Sequence, residues 1–407
     1  MADPTSFSSL TATLKETLAS LPPPDKIQDG ERTELLSAIG QLQNALEFPV
    51  LSMQRLCFSH YPMVMIRTAI GAGIFDVFVE AGPEGEVTIA ELLEKTKGDE
   101  AFLKRIMRFL CAHGYFKQTA PETYKALPMA LLFTKESVFT AMIKHFHVCS
   151  QASVKIPEYF AKNGYRNASD AFDSPFQIAF NITDHYFDWL QRNPEIQEAF
   201  NTFMGFTQQH RGANWFEIYP VAERLALSPE DLEPEKDRVL FVDVGGGVGH
   251  ELIALRRAFP SSALPGRLVL QDLPHVVSTI KEPLPDDASA TPHDIFTSQP
   301  VIGAKTYYIR TVLHDFPDKQ ALTALKHIRD AMAPDSVLLI YEHMVPEGPN
   351  VPPLAAMLDF HMMETLGSLE RTEQQWVELI EKSGFVNVKV HKGTSESIPM
   401  ALFEAGV

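Results

Sequence analysis

The run Leu240-Phe241-Val242-Asp243-Val244-Gly245-Gly246-Gly247-Val248-Gly249 constrains the fold more tightly than any other stretch of the chain. Four apolar residues surround one acid, Asp243, and then give way to a glycine cluster. The apolar part predicts a strand buried on both faces. The glycines predict a turn that takes positive φ and lets a ligand approach without a Cβ in the way. The next segment, His250 to Phe259, carries Leu252, Ile253 and Leu255 and reads as the start of a helix. A second apolar strand, Arg267-Leu268-Val269-Leu270-Gln271-Asp272, ends in an acid. An acid about 20 residues past such glycines is placed to hold ribose hydroxyls.

From Arg238 onward, strands and helices alternate. Strands are expected at Val239–Val244, Leu268–Gln271, Thr306–Arg310 and Val337–Glu342, with a final pair near Val386–Val390 and Met400–Glu404. This alternation predicts an α/β fold, a Rossmann-like and mostly parallel sheet with helices on both faces. In such a sheet ligands lie at the carboxyl ends of the strands. The candidate site residues are therefore the glycines, Asp272 and Leu273, the run His293-Asp294-Ile295-Phe296, the pair His314-Asp315, and Glu342.

The chain has 407 residues, more than one core holds, since single cores stop growing near about 250–300 residues. Three parts are expected: a helical and winged-helix part over residues 1–135, an aromatic-rich helical part over 136–230, and the α/β part over 231–407. The formal charge of -17 argues against nucleic acid as a partner, because phosphate contacts need clustered Lys and Arg. It argues equally against an anionic membrane surface. Three scattered cysteines, Cys57, Cys111 and Cys149, form no disulfide framework and suit a reducing, cytoplasmic setting.

Near the N-terminus, residues 1–31 read as a weak amphipathic helix broken at Pro22-Pro23-Pro24. Helices are expected over Thr33–Asn44 and Val50–Ile74. The face formed by Leu35, Leu36, Ile39 and Leu42 needs a partner surface. Thr88 is a plausible N-cap for a short helix. A second helix runs from Asp99 to His113, with Gly114 as its stop. Strands around Tyr115–Lys117 and Thr123–Lys125 complete a winged-helix pattern.

The segment Val242–Gly249, followed by Leu270-Gln271-Asp272-Leu273-Pro274, resembles the S-adenosylmethionine-binding motifs of class I methyltransferases. It is most similar to the plant and fungal small-molecule O-methyltransferase family. Two later segments extend the likeness. Leu313-His314-Asp315-Phe316 resembles the family's Leu-His-Asp-Trp motif, with Phe316 in place of Trp. Gly367-Ser368-Leu369-Glu370-Arg371-Thr372 resembles Gly-Gly-Lys-Glu-Arg-Thr, departing at Ser368 and Leu369.

The resemblance implies S-adenosylmethionine as methyl donor, held by Asp243, Gly245, Gly247, Gly249, Asp272, Leu273, Asp294, Ile295, Phe296 and Arg310. It implies His314 as general base, accompanied by Asp315, Glu342 and Glu370, and a homodimer made by the N-terminal part. A carboxylate on one ring nitrogen fixes the tautomer and leaves the other nitrogen to accept a proton. A phenol, with a pKa of about 10, is suitably matched by a His base. A sulfonium donor is already activated, so no metal is expected, and no metal-ligand spacing stands out. The acceptor is expected to be a small aromatic or polyketide-like molecule against Phe187, Phe200, Met204, His147, Met357 and Met363.

Two other readings stay open. A protein on this fold can bind the donor without consuming it and steer a dehydration or pericyclic reaction, with His145 and His147 as extra acids or bases. The winged-helix pattern, with Lys104, Arg105 and Arg108 on its second helix, also permits a metabolite-sensing regulator, which the charge of -17 disfavours.

Overall fold

The computed structural model describes residues 7–23, 26–209, 214–233, 236–348, 351–393 and 399–407. The chain divides into two compact units, Met1–Ile66 and Arg67–Val407. The expected boundary near residue 135 thus falls inside the second unit. The described part of the first unit is helical: Phe7–Ser20, Asp29–Leu46, Pro49–Cys57 and the start of Tyr61–Gly71. The stretch expected to be helical over Val50–Ile74 holds two helices, Pro49–Cys57 and Tyr61–Gly71, and ends at the first residue of a third, Ile74–Ala81. The cause is local. Pro62 has no N–H to give a preceding turn and disfavours a helical residue before it. Gly73, at φ 72°, ends the second helix in a conformation glycine takes freely.

The winged-helix module follows. Among the described residues its sheet has three strands, β1 (Glu86–Thr88), β2 (Phe116–Ala120) and β3 (Thr123–Ala126), in the order β1-β3-β2. Thr88 caps the helix Ile89–Thr96 with a full capping box to Glu91. Asp99 caps Glu100–Ala112 by accepting from the Phe102 N–H. Lys104 on that helix is ion-paired with Glu100 at 2.6 Å and Glu122 at 2.5 Å, so its charge is spent within the module.

The seven-stranded sheet contains β4 (Val239–Val244), β5 (Arg267–Asp272), β6 (Ala288–Pro292), β7 (Thr306–Arg310), β8 (Val337–His343), β9 (Val386–Lys392) and β10 (Met400–Gly406). Their order is β6-β5-β4-β7-β8-β10-β9. Strands β4 to β8 pair in parallel, and β10 runs antiparallel to both β8 and β9. Edge strand β6 was not anticipated; its small and polar residues, half-exposed, carry little of the apolar signal of an inner strand. Every residue of β4 and β7 is buried. One face packs on the helices Asp318–Ala331 and Glu373–Lys382 through Leu325, Ile328, Trp376 and Leu379. The other packs on Trp215, Leu252 and Leu255. Trp215, expected among the aromatic helices, instead stacks on Phe241 with centroids 5.8 Å apart.

Chain order reverses between β4 and β7, which makes a crevice at their carboxyl ends. The loop after β4 is packed into that crevice. A Cβ on Gly246 would lie 2.3 Å from Asp243 Oδ2 and 2.6 Å from Leu270 Cδ1, and one on Gly245 2.7 Å from Val312 Cγ2. Leu270, fully buried on β5, thus supports the loop from below. Leu270→Ala should lower stability by about 2–5 kcal/mol, the usual cost of truncating a core leucine, and weaken any ligand held by the loop. Guanidinium denaturation checks it, and an unchanged midpoint would contradict this packing account.

Candidate active site

The site begins where the glycine loop meets the turn after β7. Gly247, at φ 63°, is the one open position in the loop: a Cβ there would meet nothing within 4 Å. Its N–H donates to Asp272 Oδ2 at 2.8 Å, and the Leu273 N–H donates to Oδ1 at 2.7 Å. Burial raises the Asp272 pKa, partly offset by these two N–H groups. Asp243 is wholly buried and lies beneath Gly246, as a prop for the loop. One strand over, Asp294 Oδ1 accepts from the Phe296 N–H at 2.9 Å, which shapes the turn after β6. Phe296 meets Phe316 edge-to-face with centroids 5.0 Å apart. The loops after β4, β5, β6 and β7 therefore share one edge of the sheet.

His314 lies in the short 3-10 turn Leu313–Asp315 that follows β7. Thr311 enters this turn at φ 45°, a conformation costing a non-glycine residue about 1–3 kcal/mol and common at functional sites. The surrounding contacts over-determine the turn. Glu342 Oε1 accepts from the N–H groups of Val312 and Leu313, both at 2.9 Å. Ser368 Oγ donates to the His314 carbonyl. Arg371, fully buried, donates to the carbonyls of Leu313 at 3.2 Å and Phe316 at 2.9 Å and to Asp318. Its guanidinium also lies over the Trp376 ring.

The ring of His314 is held by Glu370, whose Oε1 lies 3.0 Å from Nδ1; Asp315 Oδ1 is 3.5 Å from Nε2. The two acids proposed to flank the base thus divide their work. Glu370 orients the imidazole, whereas Glu342 holds the backbone that carries it. Arg371 and Ser368 were not singled out from sequence as parts of the site. Arg371 lay within the quoted motif, so a signal for it existed. Ser368 departs from that motif.

Three carboxyls around one imidazole perturb one another. Burial works against the charged ring, yet Asp315, Glu370 and Glu342 together push the His314 pKa up to about 10. Burial raises Asp315 to about 7 and raises Glu342. For Glu370, burial opposes ionisation, but the His314 contact prevails and lowers it. Glu342 Oε2 and Glu370 Oε2, both buried, have no hydrogen-bond partner among the described residues. An acidic pocket with unspent acceptors, beside an open glycine loop and a ribose-type acid, fits a cationic ligand that bears sugar hydroxyls.

Arg310 is placed differently from expectation. It pairs with Glu251 at 2.5 Å and lies over the Tyr341 ring, so its charge is spent on the helix His250–Ala258 and is not turned to a donor's polar end. The acceptor candidates also separate. Phe187 and Phe200 pack with buried Tyr186, Phe176 and Leu190, and Met204 is half-buried on the helix Pro194–Gln209. Met357 is exposed on a groove with Phe360 and His361. Met363 is core, packed with Tyr159 and Ala168.

His147 is half-buried and off the buried face of the helix Val138–Ser153. That face presents His145, whose ring lies 5.4 Å from Phe200 and within 3.4 Å of the Tyr186 hydroxyl. Ala141, His145, Cys149 and Ala152 share it, a spacing visible in the sequence. Burial, reinforced by His361, depresses the His145 pKa to about 3.

His314 in the ligand-free protein should stay an imidazolium through neutral pH and lose its proton only in the alkaline range. Glu370→Gln removes the carboxylate on Nδ1, so the ring should deprotonate at lower pH. Imidazole NMR titration of wild type and variant reads this directly. A variant titrating at the wild-type pH would show that Glu370 does not set the ring's charge.

A family model described as "O-methyltransferase domain" matches residues 166–386, and one described as "O-methyltransferase dimerisation domain" matches residues 54–136. The chain is 35% identical over 360 residues to the methyltransferase cfoC of Aspergillus candidus, covering 88% of this chain and 87% of the relative. It is 32% identical to the demethylsterigmatocystin 6-O-methyltransferase of Aspergillus flavus, covering 86% and 87%. Among solved structures, LepI in complex with S-adenosylmethionine superposes with a TM-score of 0.82 at 28% identity, covering 99% of this chain and 100% of that one. A structure described as a pericyclic reaction enzyme superposes with a TM-score of 0.81 at 28% identity, covering 98% and 100%.

Proposed function

Because the chain belongs to the S-adenosylmethionine-dependent O-methyltransferase family, we propose that it methylates a phenolic or enolic hydroxyl of a small secondary metabolite, with His314 as the general base. The observation that carries this reading is the 3.0 Å pair between His314 Nδ1 and Glu370, in the turn after β7 whose Val312 lies against Gly245 of the glycine loop. When bound, S-adenosylmethionine supplies a methyl group already activated on a cationic sulfur. Gly245, Gly247, Gly249, Asp272, Leu273, Asp294, Ile295 and Phe296 would hold it. Asp272 offers a carboxylate to ribose hydroxyls, and Asp294, with Ile295 and Phe296, offers an acceptor and an apolar wall to the adenine. The acidic cluster favours the cationic end.

The protein's part in the chemistry is then alignment and proton removal. Glu370 keeps Nδ1 protonated, so Nε2 is the nitrogen that receives the acceptor's hydroxyl proton. The ring has to be neutral at that moment, so the rate should rise with pH through the His314 titration. Arg371, Ser368 and Glu342 fix the backbone, which keeps the base in place for an in-line transfer. Phe187, Phe200 and Met204, with His145, are the side chains we assign to the acceptor's pocket. Met363, buried in a separate cluster, and His147 are left out.

His314→Ala should retain donor binding by calorimetry while methyl transfer falls by roughly 10²–10⁴-fold, the usual worth of a positioned base. Asp272→Ala should instead lose donor affinity. Transfer by His314→Ala at the wild-type rate would sink the base assignment, and unchanged affinity in Asp272→Ala would sink the donor site.

One finding favours a second reading. The likeness to LepI and to the structure described as a pericyclic reaction enzyme extends over 98% or more of this chain. On that reading the donor stays intact as a fixed cation, and the pocket around His145 guides the acceptor's rearrangement. The paired His314 and Glu370 support methyl transfer as the first choice. The regulator reading gains nothing: the winged-helix module lies within the match to a dimerisation domain.

We also propose that the protein is a homodimer. Leu36, Leu56, Phe48 and Val50 are all at least half-exposed in the first unit, more apolar surface than a monomer ordinarily leaves to water. Light scattering on the full chain should give twice the 45.5 kDa of one chain. Leu36→Glu with Leu56→Glu should shift that mass toward one chain. A wild-type mass of one chain at micromolar concentration would refute the dimer.

A further inference from the structure

The cluster around His145 borders the proposed acceptor pocket, and its His, Cys and His side chains have a composition that proton removal at His314 does not use. His145 and Cys149 lie one helical turn apart and are 2% and 1% exposed. His145 Nε2 is 3.7 Å from Cys149 Sγ. His361 reaches the same point from the helix Pro353–Leu366, and one ligand atom from each of the three lies within 4.8 Å of the others. The remaining Nδ1 atoms already have partners. His145 Nδ1 is 3.4 Å from the Tyr186 hydroxyl, and His361 Nδ1 is 3.2 Å from Glu364 Oε1. The Glu364 carboxylate is itself buried. Metal-binding imidazoles are oriented in this manner, the second ring nitrogen resting on a carboxylate, carbonyl or hydroxyl. Phe146, Phe200 and Phe203 surround the His145 ring, which keeps the spot dry and the polar groups few.

We propose that His145, Cys149 and His361 form a site for a soft divalent cation of the zinc class, with the fourth position left to water or to an oxygen of the acceptor. Two imidazoles and one thiolate suit such an ion and offer little to magnesium or calcium, which take oxygen ligands. Tetrahedral bonds of about 2.0–2.3 Å put ligand atoms roughly 3.5 Å apart, so a triad whose ligand atoms lie within 4.8 Å of one another closes by about 1.3 Å at most. No electron moves on binding: the Cys149 thiol gives its proton to solvent, and the sulfur becomes a thiolate ligand. A groove of about 390 Å³ lined by Ser153, Ile156, Met357, Phe360, His361 and Glu364 opens a route from solvent to His361. The ion would clasp the helix Val138–Ser153 to the helix Pro353–Leu366. The three ligands are argued without the methyl-transfer reading; only an acceptor oxygen in the fourth position rests on it.

The full-length protein, stripped with a chelator and titrated with Co²⁺, tests it. One Co²⁺ per chain is expected, with tetrahedral d–d bands and a thiolate-to-cobalt charge-transfer band that Zn²⁺ abolishes. Cys149→Ser should lose the charge-transfer band with an unchanged circular dichroism spectrum. Glu364→Gln, which touches only the partner of a ligand, should weaken Co²⁺ about 10–100-fold. Absence of Co²⁺ uptake would overturn the site, and so would a charge-transfer band that survives Cys149→Ser, since another cysteine would then be the ligand. Donor affinity measured in parallel keeps the two readings separable.

Discussion

The turn after β7 carries His314, and it is held by charge. Its N–H groups are bound by Glu342 from β8, and its carbonyls by Arg371 and Ser368 from the segment after the helix Pro353–Leu366. A backbone entering at positive φ is costly. It persists here because donors and acceptors on both sides are satisfied at once. Hydrogen bonds to charged groups contribute about 1.5–3 kcal/mol each, and leaving a buried partner unsatisfied costs more than removing both. The site is therefore built into the fold: Glu342 is part of β8, and Arg371 packs on Trp376 in the core.

The same constraint explains the electrostatics. Positioning His314 with Glu370 places acids around one buried ring: burial, with their mutual repulsion, raises Asp315 and Glu342, and the acids together keep the ring charged. Such a pocket is hospitable to a cation.

Much of this was legible in the sequence because buried inner strands and glycine turns leave strong marks. Strands β4, β5, β7 and β8, the cap at Thr88, the helix start at Asp99 and the position of His314 are of this kind. Tertiary partners are not marked in that way. Nothing local says that Glu342 serves backbone while Glu370 serves the ring, since both are acids near a strand or loop end. The resemblance alone implied Arg310 as a donor contact, and nothing local in the sequence says that Glu251 on a neighbouring helix pairs with it. His145 and His147 differ only in helical phase, and the buried series Ala141, His145, Cys149 and Ala152 decides between them. Edge strand β6 and the breaks at Pro62 and Gly73 escaped because polar edges and short helices carry weak periodicity.

The central claim is that this site moves a methyl group onto an acceptor oxygen. The most direct measurement uses S-adenosylmethionine labelled in its methyl group, the wild-type protein in excess, and a panel of phenolic and enolic metabolites, with product and donor analysed after a single turnover. The account predicts label in the product's new methoxy group and one equivalent of S-adenosylhomocysteine. An acceptor converted while all label remains in intact donor would contradict it and assign the fold to donor-assisted rearrangement instead.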